Sequence, residues 1–235
     1  MSFRFLVFGG AALLAAAPAQ ADRWSGTLAV ASDKVLRGIT QSDGRAALMA
    51  EIGRQTDTGW SAALGVAGPD YPGAGGQGDV TLSLGRAWQL NADWLLQAGA
   101  AHYRYFGSRR YGSQHYNELS LALGWQGRLS GQLSWSPDTQ GYGAYGPGRR
   151  GSVLSLELAA HQRLVGRWVL DAGLGYTDQR GIDAPGYAYG SVGLGWGAGP
   201  LQMSLSLIDS RAAARGAATA GHAGRRWVST LSCSF

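Results

Sequence analysis

The last nine residues, 227–235, alternate in character along the chain. Trp227, Leu231, Cys233 and Phe235 fall on one face of a strand with Ser229, whereas Val228, Thr230, Ser232 and Ser234 fall on the other. Neighbouring side chains of a strand point to opposite faces, so an apolar face backed by a small polar face suits a strand that separates two media. The same period recurs in Trp60, Ala62, Leu64 and Val66, in Leu119, Leu121, Leu123 and Trp125, and in Leu154, Leu156, Leu158 and Ala160. It returns in Trp168, Leu170, Ala172, Leu174 and Tyr176, and again in Leu201, Met203, Leu205 and Leu207. The intervening positions hold mainly Ser, Gly, Gln and a few charges. A transmembrane β-barrel has this pattern, with one face toward lipid and the other toward a polar lumen.

Read in this phase, the chain predicts twelve strands, over 24–35, 45–56, 59–67, 79–90, 92–105, 115–126, 128–136, 151–163, 166–177, 187–197, 200–209 and 225–235. Long connections at 36–44, 68–78, 106–114, 137–150, 178–186 and 210–224 alternate with tight ones at 57–58, 91, 127, 164–165 and 198–199. An even strand number with long outer loops and short periplasmic turns is expected of a Gram-negative outer-membrane barrel. If the first strand starts in the periplasm, Trp24, Trp60, Trp88, Trp94, Trp125, Trp168 and Trp196 mark periplasmic strand ends, and Trp135 and Trp227 mark outer ends. Indole prefers the headgroup level, which accounts for such rings. Two places break the phase. The strand around Gln97 has no clean alternation, and Arg86 shares a face with Val80, Leu82, Leu84 and Trp88. A lipid-facing Arg at mid-depth costs ~2–4 kcal/mol, so a bulge near Gly85 that turns Arg86 inward is expected.

The other end of the chain fits export. Residues 1–5 carry one charge, Arg4, residues 6–17 are apolar, and Ala19-Gln20-Ala21 is a small-residue cleavage site. The reading is a signal peptide over 1–21, with 22–235 forming one barrel domain. The apolar run is shorter than the ~20 residues of a spanning helix, and no cysteine stands at the cleavage site to carry a lipid anchor. Composition supports strands, because 38 glycines would weaken helices at ~1 kcal/mol each. Charged residues make up 15%, below the ~25% typical of soluble domains. Composition alone would still allow a secreted soluble all-β protein. Cys233 is the only cysteine, which excludes an internal disulfide and a cysteine-based metal cluster.

Sites for chemistry are sparse. Residues 73–78, 141–146 and 146–151 each fit G-x-G-x-x-G, but none leads from a parallel strand into a helix as phosphate cradling requires. His102, His115, His161 and His222 are scattered, so no Ser-His pair with an orienting acid is assembled. No catalytic residue, cofactor or metal is expected, and the protein is read as a non-enzyme. Inward parity instead gathers Glu51, Glu118, Arg128, Glu157, His161, Arg163 and Asp171 as pore-lining residues, with Arg104 a further candidate. Such groups either pair within a polar lumen or act on a permeating ion. Glu118, Glu157 and Asp171 are expected to set a negative field there. Outside, Arg37, Arg45, Arg109, Arg110, Arg149, Arg150, Arg180, Arg211, Arg215, Arg225 and Arg226 outnumber nearby acids. Guanidinium groups bind phosphate well, which makes lipopolysaccharide phosphates candidate partners beside outer-membrane lipid. A surface barrel leaves no place for nucleic acid, and its terminal Phe235 implies handling by barrel-assembly machinery.

The segment Ser32-Asp33-Lys34-Val35-Leu36-Arg37-Gly38-Ile39-Thr40-Gln41-Ser42-Asp43-Gly44 resembles the first strand and loop of the TorF-like porin family of Gram-negative bacteria. Leu133-Ser134-Trp135-Ser136-Pro137-Asp138 is similar to a later Tyr-Ser-Pro-Asp type segment of that family. Lys34 to Leu36 depart from it, since the family tends to place aromatics there. The resemblance implies an outer-membrane barrel and supplies no solute. Twelve strands enclose a narrow lumen, between the filled eight-stranded and open sixteen-stranded barrels. The expected function is a porin-like channel for passive diffusion of small hydrophilic solutes. The alternative is a non-conducting structural or lipopolysaccharide-contacting barrel whose lumen is plugged by Arg and Glu pairs, with a barrel enzyme acting on lipid behind both.

Overall fold

A computed structural model describes residues 22–69, 77–108, 112–143, 146–182, 184–211 and 223–235. The proposed signal peptide lies outside these residues, as do Arg109, Arg110, Arg215, His222 and most of the glycine motif at 73–78. Strand β1 (Arg23–Ala31) is followed by a short hairpin, β2 (Val35–Leu36) and β3 (Ile39–Thr40). Next come β4 (Ala47–Gln55), β5 (Trp60–Gly68), β6 (Gly78–Gln89), β7 (Trp94–Ser108), β8 (Gly112–Trp125) and β9 (Leu129–Gly143). The chain finishes with β10 (Gly146–Arg163), β11 (Trp168–Asp178), β12 (Tyr187–Ala198), β13 (Leu201–Arg211) and β14 (Arg226–Ser234). Leaving aside β2 and β3, consecutive strands pair antiparallel and β14 returns to β1, closing a barrel of twelve strands.

Closure is made at the chain ends. The Gly26 amide donates to the Phe235 carbonyl at 2.8 Å, and the Phe235 amide donates back at 3.0 Å. The Phe235 ring covers Gly26 so closely that a Cβ there would lie 2.5 Å from the ring. The start of β1 and the end of β14 therefore sit with the tight turns at 56–59, 90–93, 126–128, 164–167 and 199–200, at the rim assigned to the periplasm.

The outward faces are those the alternation predicts. Leu64, Leu119, Leu121, Leu154, Leu156, Leu158, Leu174, Met203 and Leu205 are all exposed. At the tight-turn end Trp94 pairs with Trp125 and Trp168 with Trp196 across neighbouring strands. Such an apolar belt edged by indoles is stable against a solvent that is itself apolar in the middle and wet at its margins.

Four expectations are corrected. Registers run unbroken through Gly85 on both sides of β6, so no bulge turns Arg86 inward. Its guanidinium instead stacks outward over Trp60 at 5.1 Å and Trp88 at 5.3 Å. Arg104 also faces outward, because its neighbours Tyr103 and Tyr105 line the lumen. The supposed loops at 106–114 and 137–150 are largely strand, β7 with β8 and β9 with β10 extending as long hairpins. Above the belt both faces of a hairpin meet water, so no hydrophobic period marks the strands there. Finally, β1 ends at Ala31 rather than 35, and the residues beyond it turn into the barrel.

Candidate functional site in the barrel lumen

The inward segment is built around a two-residue turn. Arg37 and Gly38 both have positive φ, 49° and 77°, between the pairs Leu36↔Ile39 and Val35↔Thr40. This is the twist that a tight hairpin needs. Gly38 is required twice over. Besides its φ, a Cβ at Gly38 would lie 2.6 Å from that of Tyr189 and 2.8 Å from that of Ser210, and the Ser210 hydroxyl donates to its carbonyl at 2.7 Å. The hairpin tip is thus pressed onto the inner wall at β12 and β13.

Asp33 fixes the base of the segment. Its carboxylate accepts from the Thr40 hydroxyl, the Ser42 hydroxyl at 2.8 Å, the Gly44 amide at 3.3 Å and Arg226 Nη1 at 3.0 Å. Val35 adds an apolar contact with Ala29, Ala31, Met49 and Val228 on the inner faces of β1, β4 and β14. The Ser-Asp and Gln-Ser-Asp-Gly elements of the sequence motif are therefore the internal fastenings of a loop folded into the lumen.

From the tip, Arg37 reaches across the barrel. Its Nη1 and Nη2 donate to the two Glu118 oxygens at 2.8 and 3.0 Å, and Nε lies 3.6 Å from Glu157. Glu157 also accepts from the Tyr189 hydroxyl at 2.6 Å. With side chains only 9% and 2% exposed, Arg37 and Glu118 form a buried bidentate pair, the stronger kind of ionic hydrogen bond. Lys34 pairs with Asp79 on β6. A loop residue that needs an unfavourable positive φ is held there by the charges it meets.

One side of the lumen is filled and the other is open. Around β8 to β12 the interior holds the Arg37 cluster, the buried Ser155–Thr177 contact at 3.0 Å, and Gln132 donating to Ser134 at 2.9 Å. Along β4 to β8 many inward residues are small: Ser61, Ala63, Gly65, Thr81, Ser83, Gly85, Gly99, Ala101 and Ser120. They leave an off-axis cavity of about 200 Å³ that runs from the hairpin at Lys34, Val35 and Leu36 to Gln55, Gly59 and Ala87 near the tight-turn rim. Tyr103, Tyr105, Gln97, Gln132 and Glu51 complete its lining.

The predicted lining residues separate into groups. Glu118 and Glu157 come together on Arg37, and His161 meets Asp171 directly across β10 and β11. Glu51 is half-buried and borders the open cavity, and among the described residues no donor bonds its carboxylate. Arg128 lies exposed in the turn after β8, and Arg163 lies exposed at the end of β10. Both therefore belong to the rim. Arg37 and Arg226, counted from the sequence among the outer arginines, point into the lumen instead. Arg180 and Arg225 stay exposed and pair with Asp178 and Asp209. Sequence reasoning missed the Arg37 clamp because a loop residue has no strand parity to betray its direction. The Arg-Gly dipeptide gave no clear signal, because the same pair at Arg150-Gly151 lies within β10.

The pattern of this chain over residues 15–235 matches a family described as a bacterial protein of unknown function, Gcw_chp. The chain belongs to the Gcw_chp family. Nothing in that description supplies an activity, and no curated protein matches in sequence. Solved structures match in shape. The chain is similar to the KdgM porin with a TM-score of 0.55 and 10% identity, covering 90% of this chain and 99% of that one. It is similar to the NanC porin with a TM-score of 0.56 and 11% identity over 91% and 99% of the two chains. An outer membrane channel from Pseudomonas putida F1 gives a TM-score of 0.56 and 15% identity over 93% and 96%. At these identities the likeness is one of fold, and the Gcw_chp chain has the twelve-stranded barrel fold of these outer-membrane proteins.

Proposed function

We propose that this barrel sits in the outer membrane and acts as a narrow passive channel for small hydrophilic solutes, neutral or positively charged. The observation that carries the reading is the off-axis cavity beside the hairpin. Its wall of Gly, Ala, Ser and Thr keeps side chains out of a polar path, and hydroxyls and amides there can replace part of a solute's hydration. The fold shared with the KdgM and NanC porins supports it, as does the resemblance of residues 32–44 to TorF-like porins. No residue in the lumen is needed as a catalyst.

Charge sets the class of solute. Among the described residues the lumen and its hairpin hold Asp33, Glu51, Asp79, Glu118, Glu157 and Asp171 against Lys34, Arg37 and Arg226. One structure of the KdgM porin is a complex with disordered oligogalacturonate, a polyanion. A lumen with an excess of acids disfavours such a ligand here. The selective charge is Glu51, because it faces the cavity while Glu118, Glu157 and Asp171 are each engaged by a neighbour. A charge close to a permeating ion in a narrow pore acts with little screening.

The Arg37 clamp supports a second reading, a barrel closed by its own first loop and serving the envelope as structure. Planar-bilayer recording separates the two. The channel reading expects unitary currents with cation preference, moved toward anions by Glu51→Gln as seen in the reversal potential under a salt gradient. Absence of current from correctly folded protein would favour the closed barrel.

A further inference from the structure

We infer that Arg86, with Trp60 and Trp88, forms a binding site on the outer wall for the phosphate of a membrane phospholipid in the periplasmic leaflet. The inference rests on the placement of the barrel in the outer membrane and is independent of whether the lumen conducts.

Three observations converge on this residue. Arg86 lies on the outward row of β6 with Leu82 and Leu84, both exposed apolar side chains, so its charge faces the same surroundings as the lipid-directed belt. Its guanidinium carbon lies over two tryptophan rings, 5.1 Å from the centre of Trp60 and 5.3 Å from that of Trp88, so the cation is confined between two indoles. No described residue accepts a hydrogen bond from it, no acid pairs with it, and its Nε is shielded from solvent without a partner. Ion pairs elsewhere on the protein, such as Arg54 with Asp22 and Arg180 with Asp178, show what a satisfied surface arginine looks like in this barrel.

Position decides which ligand can complete the site. Trp60 opens β5 directly after the turn at 56–59, and Arg86 pairs with Trp60 across the strands, which puts the guanidinium in the indole ring at the tight-turn rim. In a membrane this is the level of the phospholipid phosphates of the inner-facing leaflet. A buried donor without an acceptor is costly, and a charged one more so, whereas a phosphate diester offers the paired oxygens that a planar guanidinium binds in a fork. The tryptophans would hold the start of the acyl chains against their faces while the phosphate caps the arginine. An arginine confined between two indoles offers its planar fork to a headgroup oxygen pair as a lysine ammonium cannot, and a free anion from solution would gain nothing from the surrounding apolar wall.

Native mass spectrometry of the folded protein, released from detergent to which phosphatidylglycerol has been added, tests the site. The parent is expected to retain one more lipid molecule than Arg86→Gln, whose occupancy should fall about tenfold, the loss expected for one charge-assisted contact. Arg86→Lys keeps the charge but loses the fork and the stacking, and it should also retain less lipid than the parent. Slower gel mobility after heating serves as the check that each variant is folded. Retention of lipid by Arg86→Gln equal to the parent would overturn the site. So would displacement of the lipid by millimolar inorganic phosphate, which would show a small-anion site instead.

Discussion

At the scale of single residues, Arg37 and Glu118 bear most of the consequence. Each is nearly closed off from solvent, so removing one partner strands the other in the lumen. Arg37→Met is expected to lower stability by about 3–5 kcal/mol, the typical effect of leaving a buried charge unpaired. Adding Glu118→Leu should return part of that loss, because the stranded carboxylate is then gone as well. Urea unfolding followed by tryptophan fluorescence checks both values, and additive losses in the double variant would deny the coupling. What could be read of these residues in the sequence follows from strand geometry. Parity placed Glu51, Glu118, Glu157, His161 and Asp171 on the inner face, since a strand has only two faces. It could not place Arg37, which lies in a turn; it did place Arg86 outward, and the bulge expected to turn it inward is absent because two indoles at the rim cover the charge.

At the scale of elements, the first connection is the part of the barrel that departs furthest from a plain loop. Its hairpin is fastened by Asp33, Val35 and Gly38 to separate parts of the wall, and by Lys34 and Arg37 to the opposite side. The Lys34 carbonyl accepts from the Gln41 amide at 2.6 Å, so the hairpin can be excised between them. Replacing residues 35–40 with two glycines should leave Asp33 and Arg226 paired and open the lumen. A severalfold larger unitary conductance is expected in planar bilayers, and an unchanged conductance would place the hairpin outside the conducting path. Most of the twelve strands were legible because the belt imposes period two where lipid meets the wall, and β7, whose alternation fails around Gln97, was placed by the connections on either side. The hairpins β7–β8 and β9–β10 were cut short for the converse reason. Outside the belt, water on both faces removes the pattern. Gly151 shows how such a region is ordered instead, with backbone contact to the 3-10 turn at Arg180–Ile182 so close that a Cβ would lie 1.8 Å from the Gly181 carbonyl oxygen.

At the scale of the whole molecule, the barrel is lopsided inside. Bulky and charged groups close the side of β8 to β12, and small residues keep the side of β4 to β8 open. Outer shape and strand number were within reach of sequence periodicity, but this asymmetry was not, because it depends on which loop enters the lumen and where its side chains land. The direct measurement is current block at a chosen thiol. In protein carrying Cys233→Ser, a cysteine at Ser83 faces the open cavity, and one at Thr177 lies buried on the filled side. A positively charged methanethiosulfonate should reduce the single-channel current stepwise at Ser83→Cys and leave it unchanged at Thr177→Cys. Equal effects at both positions, or no current before the reagent is added, would contradict an off-axis channel through this barrel.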